Sequence, residues 1–394
     1  FIQGIFTIAN KQVFREAIKQ FKKRNPNVIF IGYNGFGGEM ENTVNPFRQT
    51  VDLRWLEIFD TLYSGDPRFS DVPMINVWRS QDLYSDHMVQ QFLFNQLPLS
   101  RIDNCSFMIG TTGTCYNRGV AAWKSCLILN LARSGWLNVY HGNINLLSDD
   151  DVKWFSRVQN TYLYLQEYGK TTIIGGIPGK VMPYGYKSKS KDGTLITLTN
   201  PSQTMKEITL PMDIPCSPGR ILFTDNGFKP VLVGNKIMLG AEQMVVIGYG
   251  EYTLDEYDWG IEEDIVIPQK IEQREIKPEI VDEHTLQTRI NNLSNDIRVI
   301  FSQCDRNGNP VRSWGGAPPN GIRMNEFLKI RASQGDEDIP VRINYDKMIW
   351  SGLSWATGEI EVENVNPQYP LTITCWSKEG NSEYFKIEIY NTQN

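Results

Sequence analysis

No apolar run in the 394-residue sequence approaches the roughly 20 residues that a membrane-spanning helix needs, so no membrane insertion is expected. Basic clusters are equally scarce. Lys22-Lys23-Arg24 is the compact basic run, suited to a helix C-terminus, and the net charge is −6. Nucleic acid or an anionic membrane would call for clustered Lys and Arg, so neither is an expected partner. No Cys-x-x-Cys occurs among Cys105, Cys115, Cys126, Cys216, Cys304 and Cys375, which argues against a zinc site. The six read as buried thiols, with one bridge among Cys105, Cys115 and Cys126 as the alternative. Residues 1–10 carry neither the basic start nor the cleavage site of a signal peptide, so this terminus says nothing of the compartment. Asp305-Arg306-Asn307-Gly308-Asn309-Pro310 begins like a calcium loop but has Pro where Gly is required, and reads as a turn.

What is present is an ordinary folding composition, 41% apolar and 11% aromatic, in a chain long enough for two or three domains. Residues 1–170 alternate helix and strand signals. Phe14, Ile18 and Phe21 repeat at helical spacing and stop before Pro26, and Val28 to Ile31 reads as a buried strand. Val51, Trp55, Ile58, Phe59 and Leu62 give a second helical face, followed by a strand over Met74 to Trp78. A helix over Met88 to Phe94, a strand over Ser106 to Ile109, a buried helix over Val120 to Leu131 and a strand at Leu137 to Val139 come next. A helix from Ser148 to Tyr168 closes the region, with Ser148 as N-cap and Asp149, Asp150 and Asp151 in its first turn. Parallel strands need crossovers of this kind, so four strands with intervening helices predict a parallel sheet.

Residues 171–259 change to short alternating segments broken by turn dipeptides, an antiparallel β-domain. Within it, Gly234-Asn235 between Val231-Leu232-Val233 and Lys236-Ile237-Met238-Leu239 is a two-residue hairpin signature. Residues 260–282, acidic and carrying Pro268 and Pro278, read as a linker. Residues 283–394 show another all-β pattern, with strands near Ile297 to Phe301, Val341 to Tyr345, Leu371 to Trp376 and Tyr384 to Tyr390, the size of an immunoglobulin-like sandwich. Trp314, Trp350 and Trp355 lie in it as either core or exposed aromatics.

Polar residues gather around Trp78-Arg79-Ser80-Gln81-Asp82, with Asp86 and His87 close behind, at the expected end of the Met74 to Trp78 strand. Arg101 and Asp103-Asn104-Cys105 recur twenty residues on, beside the next strand. Charge near the ends of successive strands is how a (βα)8 barrel builds a site. The bland reading is an Arg79–Asp82 ion pair at a strand end, with Asp86 as a helix N-cap, His87 as a packing residue and Asp103 in a turn.

The motif Trp78, Arg79 and Asp82, together with Asp103-Asn104-Cys105-Ser106-Phe107-Met108-Ile109-Gly110, resembles the α-galactosidase clan of glycoside hydrolases, families 27 and 36. The resemblance implies the C-terminal half of a (βα)8 barrel over residues 1–170, followed by an antiparallel β-sandwich domain and a second, immunoglobulin-like sandwich. It implies Asp82 as catalytic acid/base, with Trp78, Arg79, Asp103, Cys105, Tyr33 and Asn34 at the sugar. Cys105 stands where the clan has a second acid, and Tyr33-Asn34 where family 27 often has Glu. Trp136, Tyr140 and His141, at the end of the last strand, are weaker binding candidates. Gly35-Phe36-Gly37-Gly38 has Met40 where a dinucleotide fingerprint needs its third glycine, so it reads as backbone approaching the sugar or as a plain turn.

The function implied is retaining exo-hydrolysis of a terminal α-galactoside-like linkage in an oligosaccharide or polysaccharide, with no cofactor and no metal. Retention requires two carboxyls about 5 to 5.5 Å apart. The nucleophile Asp is expected upstream of Phe1, because four strands are half a barrel. The resemblance also implies a secreted or periplasmic protein. The rival expectation is a non-catalytic carbohydrate-binding or scaffold protein that keeps the fold.

Overall fold

The computed structural model describes residues 8–32, 53–63, 69–83, 85–110, 120–135, 137–211, 213, 218–311, 326–343 and 353–393. The chain opens with helix α1 (Ile8–Arg24), which ends on Lys22, Lys23 and Arg24 as the helix dipole favours. A parallel sheet follows in chain order: β1 (Ile31–Gly32), β2 (Thr61–Tyr63), β3 (Ile102–Ile109) and β4 (Leu137–Gly142). Helices α2 (Val77–Leu83) and α3 (Asp86–Phe94) link β2 to β3, α4 (Trp123–Ala132) links β3 to β4, and α5 (Asp149–Tyr168) leaves β4. Ser148 caps α5 in a reciprocal box with Asp151, as its sequence requires.

Two expectations fail here. Val28 and Ile29, read as part of a buried strand, are exposed and precede the strand, which covers Ile31–Gly32. The second strand is Thr61–Tyr63, and the stretch read as strand from Met74 to Trp78 instead runs into α2. The physical cause is local. Asn76 Oδ1 accepts the Trp78 amide at 3.1 Å, and the Arg79 amide bonds the Asn76 carbonyl at 3.0 Å, so Asn76 starts a helix where β-branched and apolar neighbours suggested a strand.

The next region is antiparallel apart from one pair. Six strands, β5 (Lys170–Gly175), β6 (Tyr184–Lys189), β7 (Gly193–Thr199), β9 (Arg220–Gly227), β12 (Met244–Gly250) and β13 (Gly260–Ile267), lie in the order β13-β9-β12-β7-β6-β5. Between them β8 (Lys206–Thr209), β10 (Val231–Val233) and β11 (Lys236–Leu239) form a second sheet. Val233 pairs with Lys236 around Gly234 at φ +59°, the hairpin that the dipeptide predicts. Ile196, Leu198, Val245 and Ile247 pack with Ile208, Ile237 and Leu239 between the two sheets.

The last region is two five-stranded sheets. One has the order β14-β23-β17-β21-β20, from Lys270–Gln273, Phe385–Gln393, Asp296–Gln303, Trp355–Ile360 and Arg342–Ile343. The other has the order β15-β16-β22-β18-β19, from Glu279–Asp282, Thr285–Ile290, Leu371–Ser377, Leu328–Gln334 and Glu337–Ile339. Residues 260–282, expected as a linker, are therefore largely strand: β13 closes the middle sheet, and β14 and β15 enter the last two. Their charges alternate with buried Glu262, Ile265, Ile267 and Ile271, a half-buried strand pattern that a composition argument overlooks.

The regions are fastened together. Trp154 Nε1 of α5 donates to the Trp259 carbonyl at 2.7 Å. Trp355 Nε1 donates to the Ser70 carbonyl at 3.0 Å and Thr357 Oγ1 to the Met74 carbonyl at 3.1 Å, so Trp355 is core. Trp314 and Trp350 lie outside the described residues. Asp305 accepts the Asn307 and Asn309 amides, the turn its sequence suggests. Cys375 is a buried free thiol and Cys304 a half-buried one, short of the burial expected of it; Cys115 and Cys216 lie outside the described residues. Among the described residues no helix is long and apolar enough to cross a membrane.

Candidate functional site

The helix at Val77–Leu83 places Arg79 and Asp82 one turn apart, and Arg79 Nη1 lies 3.7 Å from Asp82 Oδ2 with both side chains fully buried. Arg79 Nη2 donates to Asp225 Oδ1 of β9 at 2.7 Å. Asp225 also accepts the Met244 amide at 2.7 Å and Ser125 Oγ at 3.3 Å. Ser125, on α4, gives its amide and hydroxyl to Glu262 Oε2 of β13, at 2.7 and 3.1 Å. The predicted acid/base and its arginine are thus one corner of a seam that joins α2 and α4 to the β-domain.

Electrostatics follow from that burial. Removal from water works against the Arg79 charge, but Asp225, Asp82 and Glu262 outweigh it and raise its pKa. Burial pushes Glu262 up to about 8, with the Ser125 amide opposing and Asp264 and Asp225 adding to the rise. The seam thus favours the neutral form of Glu262 beside a guanidinium whose charge its carboxylate partners favour.

Asp86 is not an N-cap. Ser85 occupies that position without a side-chain cap bond, and buried Asp86 accepts Arg133 Nε at 2.9 Å and the Tyr186 hydroxyl at 3.3 Å. Burial lifts Asp86 to about 6, against the pull of Arg133. Arg133 also donates to the Asp82 carbonyl, tying the end of α2 to α4.

Asp103 stands apart. It is the second residue of β3, fully buried, and neither carboxylate oxygen has a hydrogen-bond partner among the described residues. Burial alone raises it to about 6. Its neighbour Asn104 donates to the Asn130 and Ser134 carbonyls at the end of α4, so strand alternation turns Asp103 to the opposite face of the sheet. In register Asp103 pairs with Tyr63, the last residue of β2, and with Leu137, the first residue of β4, so it stands at the amino-terminal end of its own strand. No charged group contributes to its shift.

Trp78 packs on Phe69 with ring centroids 6.2 Å apart and is buried. Tyr140 packs against Phe107 and Phe155, and its hydroxyl accepts Gln159 Nε2 at 3.1 Å, a core role. Tyr33, Asn34, Gly35 to Gly38 and Trp136 lie outside the described residues, as do the side chains of Cys105 and His87. Asp225, Glu242 and Glu262 escaped the sequence reading because they meet their partners across more than 100 residues of chain. Among the described residues no group of three or more His, Cys, Asp or Glu is placed to hold a metal.

No family model and no curated protein matches the chain. Among solved structures, a Bacillus licheniformis trehalose-6-phosphate hydrolase is 16% identical over 29% of this chain and 22% of its own, with a TM-score of 0.22. An alpha-amylase from H. orenii is 13% identical over 61% of this chain and 57% of its own, at 0.31. A beta-porphyranase of glycoside hydrolase family 86 from Bacteroides plebeius is 11% identical over 95% of this chain and 65% of its own, at 0.23. The chain thus spans about a fifth to two thirds of these neighbours. All three are glycoside hydrolases, and at this level of likeness neither their folds nor their chemistry transfers to this chain.

Proposed function

We propose that this chain forms part of a glycoside hydrolase acting on a terminal sugar of an oligosaccharide or polysaccharide, and that Asp103, rather than Asp82, is its proton donor. The observation that carries the reading is the Asp103 carboxyl, buried and without a described hydrogen-bond partner. Four parallel strands in unbroken chain order suit half of a parallel barrel, and Asp103, at the amino-terminal end of β3, lies on the face of that sheet opposite to Asn104 and α4. A general acid must be protonated near working pH, and burial holds Asp103 at about 6 for that task. In a retaining mechanism Asp103 would give its proton to the leaving oxygen while a second carboxylate attacks the anomeric carbon. The α-galactoside-like linkage rests on the sequence resemblance, as does a secreted or periplasmic setting.

The test is turnover of aryl α-galactosides by the native chain and by Asp103→Asn and Asp82→Asn. Asp103→Asn should lose activity by about a hundredfold or more with its melting point retained. Native activity should decline as pH rises through about 6, where Asp103 gives up its proton. Asp82→Asn should instead lower stability. Undiminished turnover in Asp103→Asn, or lost turnover in a fully stable Asp82→Asn, would return the acid role to Asp82.

A non-catalytic carbohydrate-binding or scaffold role is the second reading. It is favoured by the sealed Arg79–Asp82–Asp225 seam, which accounts structurally for the motif that carries the resemblance. Saccharide binding without turnover by the native chain would establish it.

A further inference from the structure

A cavity of about 350 Å³ lies where the three regions meet, away from Asp103. Its polar wall is Glu242 from the turn before β12, Asp264 from β13, and Arg298, Arg342 and Glu359 from one sheet of the last sandwich; Trp78 supplies an aromatic wall. These groups are held in place. Glu242 keeps a left-handed backbone, φ +54°, that residues other than glycine rarely adopt. Its carboxylate accepts the Ile75 amide at 2.8 Å and Gln203 Nε2 at 2.5 Å. Gln203 Oε1 in turn accepts Arg298 Nη1 at 3.4 Å. Arg298 is 5% exposed, yet its Nε makes no hydrogen bond among the described residues and stands 3.8 Å from Glu359 Oε1. A buried guanidinium N–H left unbonded is rare unless something else comes to meet it.

We infer that this junction cavity binds a neutral saccharide unit, in a site separate from Asp103. The charges select the class. Two guanidiniums against three carboxylates leave an excess of one negative charge, which opposes an anionic ligand. A hydroxyl both donates and accepts, so vicinal hydroxyls satisfy Arg298 and Glu359 together, and an aromatic wall suits the C–H face of a sugar ring. The volume falls at the small end of ordinary ligand sites. The inference does not rest on catalysis by Asp103 and goes beyond it.

Saturation-transfer NMR and calorimetric titration of the full chain with galactose and raffinose test it, with galacturonate and glucosamine as charged counterparts. The neutral sugars should bind, and the exposed-side variants Arg342→Ala and Asp264→Asn should each weaken binding about tenfold without loss of fold. Asp103→Asn should leave this affinity unchanged, so binding that survives in a turnover-deficient chain separates the two proposals. Absence of saturation transfer from either neutral sugar, tighter binding of galacturonate or glucosamine, or affinities untouched in both junction variants would overturn the site.

Discussion

Glu262→Gln offers a direct reading of the seam. Glu262 has an ordinary carboxyl pKa of 4.5 when unfolded and is held at about 8 by burial when folded. Between those values the folded state binds more protons than the unfolded state, so stability falls as pH rises through that window and levels off above about 8. The two pKa values integrate to a loss of about 4 kcal/mol between about pH 5 and about pH 9, taking ~1.4 kcal/mol per unit. Glutamine keeps an acceptor for the Ser125 amide and hydroxyl but carries no proton to lose. Melting curves collected across that range should therefore show the native midpoint dropping relative to Glu262→Gln by roughly 8 to 16 °C, at about 2 to 4 °C per kcal/mol. Both other carboxyls pushed to about 6, Asp86 and Asp103, add the same slope to both proteins and cancel in the difference. Parallel curves for the two proteins would refute the reasoning, because they would mean that Glu262 titrates alike in the folded and unfolded chains.

Arg133→Met removes the partner of a carboxyl buried at α3 and should destabilise by about 3 kcal/mol or more at pH 7, and by less at pH 5 where Asp86 takes up a proton, read by urea unfolding at the two pH values. Ser148→Ala breaks the capping box of α5 and should cost about 1 kcal/mol by the same method. Gly142→Ala should prevent the close pairing of β4 with β3, since an added Cβ would lie 1.9 Å from the Ile109 carbonyl oxygen at a backbone φ of +114°. Loss of soluble folded protein is expected there, and a variant that melts normally would contradict the register.

The sequence made legible whatever is decided within a few neighbours. The α5 cap, the Gly234-Asn235 hairpin, the buried α4 and the change from alternating helix and strand to antiparallel sheet all follow from local patterns. The parallel order β1-β2-β3-β4 was also foreseeable, although its second member was misplaced. Thr61-Leu62-Tyr63 is only three residues long and sits at the end of an apolar helical face, so periodicity assigned Leu62 to a helix. The run Met74-Ile75-Asn76-Val77-Trp78 has every mark of a strand except that Asn76 bonds forward and Glu242 takes its amides from far along the chain. That misplacement propagated to the site, because a rim residue at a strand end and a seam residue on a helix have the same sequence. For Asp103 the letters suggest only a sugar contact or a turn, since nothing near it in sequence tells that its carboxyl has no hydrogen-bond partner among the described residues.

The fastening of Trp355 to Ser70 and of Thr357 to Met74 bears on how the protein is made. These bonds join residues 285 and 283 positions apart. A ribosome adds about 5 to 20 residues each second, so the segment from Ser70 to Met74 waits roughly 15 to 60 s for the strand that will hold it. During that interval Phe69, Val72 and Met74, all buried in the finished protein, have emerged without their cover. Nascent-chain chaperones therefore meet the segment from Ser70 to Met74 well before its cover exists, and its release depends on β21, which the ribosome delivers 285 residues after Ser70.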